Sequence, residues 1–283
     1  MAAQDSDPHP PSGGEHDDEM EASRAPLIEH FNELRRRLIT SLIGLGVAFG
    51  ICFFLAQPIY DFLLGPFEVA AARLRQDVPT EASAPLRLIF TAPLEFFFVK
   101  VKVALFGGLI LAFPVIAHEF YKFVAPGLYK NERAAFLPFL IAAPVLFLMG
   151  AALAYYFVMP FVMAFALGQE TTLDQGRAAI SLLPKVSDYM SLITTLIIAF
   201  GVAFQLPVLL TLLARVEIIG ARDLLRAWKY AVVGAFAVAM FLTPPDPISQ
   251  IILGGSLMVL YFISVGCASL AEKAARKAAE DSH

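Results

Sequence analysis

The sequence predicts an all-α integral membrane protein with six transmembrane helices, and three observations carry that prediction. Of 283 residues, 58% are hydrophobic and 16% charged, with a mean hydropathy of +0.68, whereas a soluble domain carries about 25% charge. Six apolar runs approach or exceed the roughly 20 helical residues that a bilayer core requires. The basic residues divide unequally between the two sets of segments that alternate along those runs.

Residues 1–25, MAAQDSDPHPPSGGEHDDEMEASRA, are rich in Asp, Glu, Pro, Gly and Ser. Such a stretch buries too little apolar surface to offset its ordering entropy, so a disordered acidic tail is expected. It lacks a basic n-region and an adjacent apolar h-region, and the first apolar run is therefore expected to be a retained span. That run, 38–56, is 19 residues long without a charge. The second, 93–117, carries Lys100 and Lys102 near its start, where long stems can snorkel to an interface. The third, 134–169, is uncharged for 36 residues and contains Pro138, Pro144, Gly150 and Pro160. It holds no polar turn that could reverse the chain, so one tilted helix running into an interfacial segment near Pro160 is expected. Runs four to six are 189–214, 230–245 and 247–271, of 26, 16 and 25 residues. The membrane domain thus covers 26–271, with a short tail over 272–283. The 16-residue fifth run should thin the bilayer locally or rely on snorkelling ends.

With six spans and the N-terminus inside, 14 of the 21 basic residues fall on the cytoplasmic side, and splitting the third run would reverse that bias. Both termini are therefore expected in the cytoplasm. The first external loop, 57–92, is long and carries Pro58, Pro66, Pro79 and Pro85 with short amphipathic pieces such as 67–74. An ordered external cap is expected there. Spans five and six are joined only by the turn at 243–247, which predicts a tight helical hairpin. Cys52 and Cys267 lie far apart in apolar runs and read as packing residues, with no cluster suited to a metal.

Four motifs stand out. HFNELRRRL (30–38) precedes span one and, as a helix, sets His30, Glu33 and Arg37 on one face. It suits a basic membrane anchor with a Glu–Arg pair, yet a carboxylate adds nothing to such an anchor. FVAPGLYKNER (123–133) follows span two, where Pro126-Gly127 makes a turn and Asn131-Glu132 can start the next helix. FGVAFQLP (200–207) lies within span four. Pro207 kinks that helix, and Gln205 sets an amide at membrane depth, facing either a wet cavity or another helix. LTPPDPISQ (242–250) forms the hairpin, where Asp246 can cap span six.

In this order, and with VVGAF (232–236) in span five, these motifs resemble the TatC family, the signal-peptide receptors of the twin-arginine protein translocase, over about residues 26–270. The resemblance implies a concave, glove-like helix arrangement with an external cap in a bacterial inner membrane. It implies a receptor for twin-arginine signal peptides of folded cargo, with TatA and TatB as single-span partners. A homo-oligomer within a TatBC complex follows too, along with bilayer lipid as surroundings, transport driven by the proton-motive force, and neither cofactor nor nucleic acid. Carried over by motif, Glu33 and Glu132 match the two acidic residues facing the signal peptide's arginines. Arg35, Phe123, Pro126 and Arg133 match other positions of that surface. Asp246 and Gln250 match the hairpin motif, and Gln205 matches an intramembrane polar position that is glutamate in many relatives.

A secondary transporter of a small solute is the rival reading. It would show repeats and a polar, often charged site at mid-membrane, but the halves show no repeat. The chain contains no HExxH, GxSxG or GKS/T loop, so no enzyme chemistry is expected.

Overall fold

The computed structural model describes residues 14–77, 88–124, 137–167, 184–215, 219–242 and 247–280, and these are almost wholly helical. Six segments are long and apolar enough to cross a membrane: Phe31–Phe54, Glu95–Phe123, Phe139–Leu167, Val186–Ala214, Ala221–Phe241 and Gln250–Leu270. They answer one for one to the six apolar runs.

The first helix, α1 (Gly14–Phe54), spans 41 residues, about 60 Å at 1.5 Å per residue. It is twice the thickness of a bilayer core and begins inside the stretch expected to be disordered, where Glu, Met, Ala and Arg extend the helix backwards from the span. After a turn at Leu55 the chain forms α2 (Ala56–Asp77). Over its described first part the expected cap is one 22-residue helix rather than short pieces, and 78–87 lie outside the described residues. Its buried residues Ala56, Tyr60, Leu63, Phe67 and Ala70 recur every three or four positions, while Gln57, Asp61 and Glu68 are exposed.

Span two is α3 (Glu95–Val124), and span three is α4 (Leu137–Leu153), a π-helical turn over Ala154–Val158, and α5 (Met159–Leu167). Near Pro160, where an interfacial segment was expected, the helix instead widens into this π turn, closed by the Met159 N–H on the Ala154 carbonyl, and continues as α5 within the same span. Pro160 has no N–H for an ordinary helical bond, and the widened turn sits just before it. Span four is α6 (Val186–Ala203) and α7 (Leu206–Arg215), separated by a turn at Phe204-Gln205. Spans five and six are α8 (Ala221–Leu242) and α9 (Pro247–Glu280). The fifth span is not short: α8 has 22 residues, because its first three turns include exposed Arg222, Arg226 and Lys229 that interrupt hydropathy but not the helix.

Span four is the centre of the packing. Half of its apolar window, 50%, is buried inside the protein, against 11% for spans one and five. Met190, Ile193, Leu196 and Phe200 of α6 pack with Val99, Val103, Val158 and Met159. The closest crossing is between α4 and α6: a methyl added at Gly150 would lie 2.5 Å from the Phe200 carbonyl oxygen, and one at Gly201 2.6 Å from the Phe147 ring. From this centre the helices form an open row. On one side α3 carries α1, and on the other α7 carries α9, which in turn carries α8. Among the described residues the two ends of the row, α1 and α8, share no substantial contact, as the expected concave arrangement requires.

The cap is held to this core at its proline. Pro66 lies inside α2 and cannot donate to the carbonyl four residues back, that of Phe62. The Tyr155 hydroxyl donates to that carbonyl at 2.6 Å, and Tyr189 donates to the neighbouring Leu63 carbonyl at 2.7 Å. Gly65 leaves room for this approach, since a Cβ there would lie 2.6 Å from the Tyr155 hydroxyl oxygen. The Tyr155 ring also stacks on Phe62 with centroids 4.4 Å apart. Tyr155→Phe keeps the stack and removes only the donor, so it should cost about 1 kcal/mol, read as a lower thermal midpoint in detergent. Pro66→Ala, which restores the backbone donor, should cancel most of that loss. A Tyr155→Phe loss of the same size in both backgrounds would show that the hydroxyl does not stand in for the missing N–H.

Candidate functional site

The described part of the candidate site is built where the start of span one meets the end of span two. Glu33 and Arg37 are four residues apart on α1, a spacing that brings side chains together on one helix face. Arg37 Nε donates to Glu33 Oε1 at 3.1 Å, and Nη2 donates to the same oxygen. From its other side, Arg37 Nη1 reaches Glu119 Oε2 on α3 at 3.4 Å. One guanidinium therefore ties together two carboxylates from two spans, and the trio keeps one excess negative charge. The side chains of Arg37, Glu33 and Glu119 are 20%, 34% and 16% exposed, which makes Glu33 the most open of the three.

Around them, Arg35 and Arg36 are exposed on α1, and Phe123 is half-buried one turn beyond Glu119 on α3. Pro126, Glu132 and Arg133 lie outside the described residues. Within the described residues the helix before them runs to Val124. The expected Glu33–Arg37 pair is present. Glu119 was missed, although the signal that marks Glu33 marks it as well: an acid in a segment where a basic anchor has no use for one.

At membrane depth, Gln205 sits in the turn between α6 and α7. Pro207 cannot donate to the Ala203 carbonyl, and the chain there tightens, with the Gln205 N–H on the Val202 carbonyl at 2.9 Å. The Gln205 side chain donates through Nε2 to the Ala143 carbonyl of α4, also at 2.9 Å. Of the two readings of this amide, the contact is to another helix.

The other end of the bundle holds Gln250, half-buried in the first turn of α9, which begins at Pro247. Asp246 lies outside the described residues. Glu95, which sequence reasoning passed over, is an anchor at that end. Its carboxylate accepts from the backbone N–H groups of Thr91 at 2.7 Å, Ala92 at 3.2 Å and Ser187 at 3.3 Å, so it joins the starts of α3 and α6. Lys102 does not extend freely to an interface: its Nζ donates to Ser191 Oγ on α6 at 2.6 Å. Cys52 and Cys267 are free thiols. Among the described residues, no group of His, Cys, Asp and Glu could hold a metal ion.

The family model for the Sec-independent protein translocase protein (TatC) matches residues 29–255. The chain belongs to the TatC family. A TatC protein of Magnetococcus marinus is 41% identical over 260 residues, covering 91% of this chain and 90% of its own length. TatC of Aquifex aeolicus is 34% identical, covering 88% and 96%, and TatC of Escherichia coli is 34% identical, covering 85% and 86%. A crystal structure of the twin arginine translocase receptor TatC superposes with a TM-score of 0.70 at 33% identity, over 86% of this chain and 99% of that one. These TatC matches confirm the family read from the four motifs. With the six apolar helices, they make the chain a multi-pass membrane protein of a protein-translocating family.

Proposed function

We propose that this chain is the core receptor of a twin-arginine translocase in a bacterial inner membrane. In this reading it binds twin-arginine signal peptides of folded proteins at the cytoplasmic face. It then nucleates assembly with the single-span subunits TatA and TatB, as several copies within a TatBC complex, for export driven by the proton-motive force. The observation that carries the reading is a partly exposed carboxylate, Glu33, at the end of a TatC fold that carries most of its basic side chains. A twin-arginine ligand brings two planar, permanently charged guanidinium groups, each able to form a forked pair with a carboxylate. Glu33 and Glu132 are the carboxylates assigned to it, with Arg35, Phe123, Pro126 and Arg133 completing the surface. Gln205 and Pro207 in span four, and Asp246 and Gln250 at the opposite end, are assigned structural and partner-facing roles.

The transporter reading is not favoured. The buried polar side chains among the described residues are Thr194, Thr211 and Ser264. Each donates to a carbonyl one turn back on its own helix, that of Met190, Pro207 and Leu260 respectively. Such inward-bonded hydroxyls offer a solute little.

The orientation follows from charge. Among the residues with described side chains, the Glu33 end carries Arg35, Arg36, Arg37, Lys122, Arg222, Arg226, Lys229 and Lys273, and the opposite end Lys100, Lys102 and Lys185, a bias that favours a cytoplasmic Glu33 end. Reporter fusions after Lys130, Arg222 and Lys277 should read as cytoplasmic and those after Gln76 and Gln175 as external. A cytoplasmic signal at Gln175 would contradict the single third span.

A hydrogen bond to a charged group contributes roughly 1.5–3 kcal/mol, and an exposed ion pair about 0–1. Losing one carboxylate at a partly wet site should therefore weaken peptide binding about tenfold. Affinity or cross-linking of a twin-arginine signal peptide should fall for Glu33→Ala and Glu132→Ala in membrane-inserted protein, and should hold for Asp246→Ala. Wild-type binding by both glutamate variants would end the receptor assignment of these residues.

A further inference from the structure

We propose that Arg37 is an internal competitor for the ligand's guanidinium, and that Glu119 is the carboxylate to which Arg37 withdraws when a ligand takes Glu33. The proposal rests on the reading of Glu33 as part of a twin-arginine site and adds to it how that site is kept and opened.

Arg37 gives the Nε–Nη2 edge to Glu33 and leaves a longer contact of 3.4 Å from Nη1 to Glu119. The edge that Arg37 uses on Glu33 is the one a ligand arginine would use, because arginine recognises a carboxylate through that planar fork. Both Arg37 donors fall on Oε1 of Glu33, and a ligand fork, which engages both carboxylate oxygens, needs that same oxygen, so ligand and Arg37 compete for it. Glu119 lies on the far side of the same guanidinium, so a small side-chain rotation transfers Arg37 from one carboxylate to the other. After the transfer every charge is still paired: Glu33 with the ligand and Arg37 with Glu119. Without Glu119, a displaced Arg37 would be left unpaired in a site where it is only 20% exposed, beside an incoming group of the same charge. An enclosed charge without a partner is costly, so ligand entry would be opposed. The contact also joins α1 to α3 across 82 residues of sequence, so ligand entry at Glu33 alters the tie between spans one and two.

A double-mutant cycle on the full-length chain in lipid nanodiscs tests this. The probe is a synthetic peptide with two consecutive arginines followed by an apolar stretch. Arg37→Ala should tighten binding about fivefold, the scale of a partly exposed ion pair. Arg36→Ala removes the same charge one residue away and should change binding less than twofold, which separates competition from general charge. Glu119→Gln should weaken binding about fivefold in the native background and leave it unchanged in the Arg37→Ala background. Arg37→Gln, which retains a polar side chain of similar reach, should tighten binding in the same sense, and it serves where the alanine variant does not fold.

Equal weakening by Glu119→Gln in both backgrounds would mean direct ligand contact and would overturn the withdrawal role. Unchanged or weaker binding in folded Arg37→Ala and Arg37→Gln would overturn the competition. The receptor reading fails separately, by wild-type binding in Glu33→Ala and Glu132→Ala. Lost binding in those two with a flat Arg37–Glu119 cycle would overturn only the exchange.

Discussion

A backbone carbonyl or N–H in or against a bilayer has no water to turn to, and much of this structure follows from where proline leaves one unmatched. Each proline in a helix removes a donor and leaves a carbonyl open. At Pro66 the open carbonyl of Phe62 is taken by the Tyr155 hydroxyl, which fastens the cap helix to span three. Near Pro160 the backbone widens into a π turn. Before Pro207 the chain tightens into a turn from which Gln205 crosses to the Ala143 carbonyl. At Pro66 and before Pro207 the cost is offset by a bond between elements distant in sequence, and these two bonds set how the cap and spans three and four fit together.

The Glu33 end works by different physics. It lies at a boundary where water reaches part of each charge, so a single ion pair there is exchangeable while a charge left without any partner is costly. Exchange suits a receptor that must release its ligand. The rigid centre, where Gly150 and Gly201 allow α4 and α6 to touch, holds α3 in place, and α3 carries Glu119 to the α1 pair. A site of exchangeable charges thus stands on a scaffold whose own contacts are apolar and fixed.

Much of this was legible in the sequence. Six apolar runs read directly as six spans, because hydropathy registers the solvent each segment meets. The Glu33–Arg37 pair was legible because four residues make one helical turn. The length of α8 was hidden, since Arg222, Arg226 and Lys229 end an apolar run without ending a helix. The continuous α2 was hidden by Pro66, whose missing bond is replaced by a side chain 89 positions further along the chain. Partners at such separations have no local signature: Gln205 read as polar at depth, with Ala143 unforeseeable, and Glu119 lies 82 residues from Arg37. Glu132, Pro126 and Arg133 enter through their motif alone.

The central claim is that a basic membrane face uses carboxylates to recognise the guanidinium group rather than positive charge in general. The most direct measurement compares two peptides on the same receptor, identical except that the paired arginines of one are lysines in the other. Both carry the same charge, but an ammonium cannot form the fork. The account predicts that the lysine peptide binds about tenfold more weakly, and that this gap narrows sharply in the Glu33→Ala Glu132→Ala double variant. Equal affinities for the two peptides, or an undiminished gap in the double variant, would contradict it.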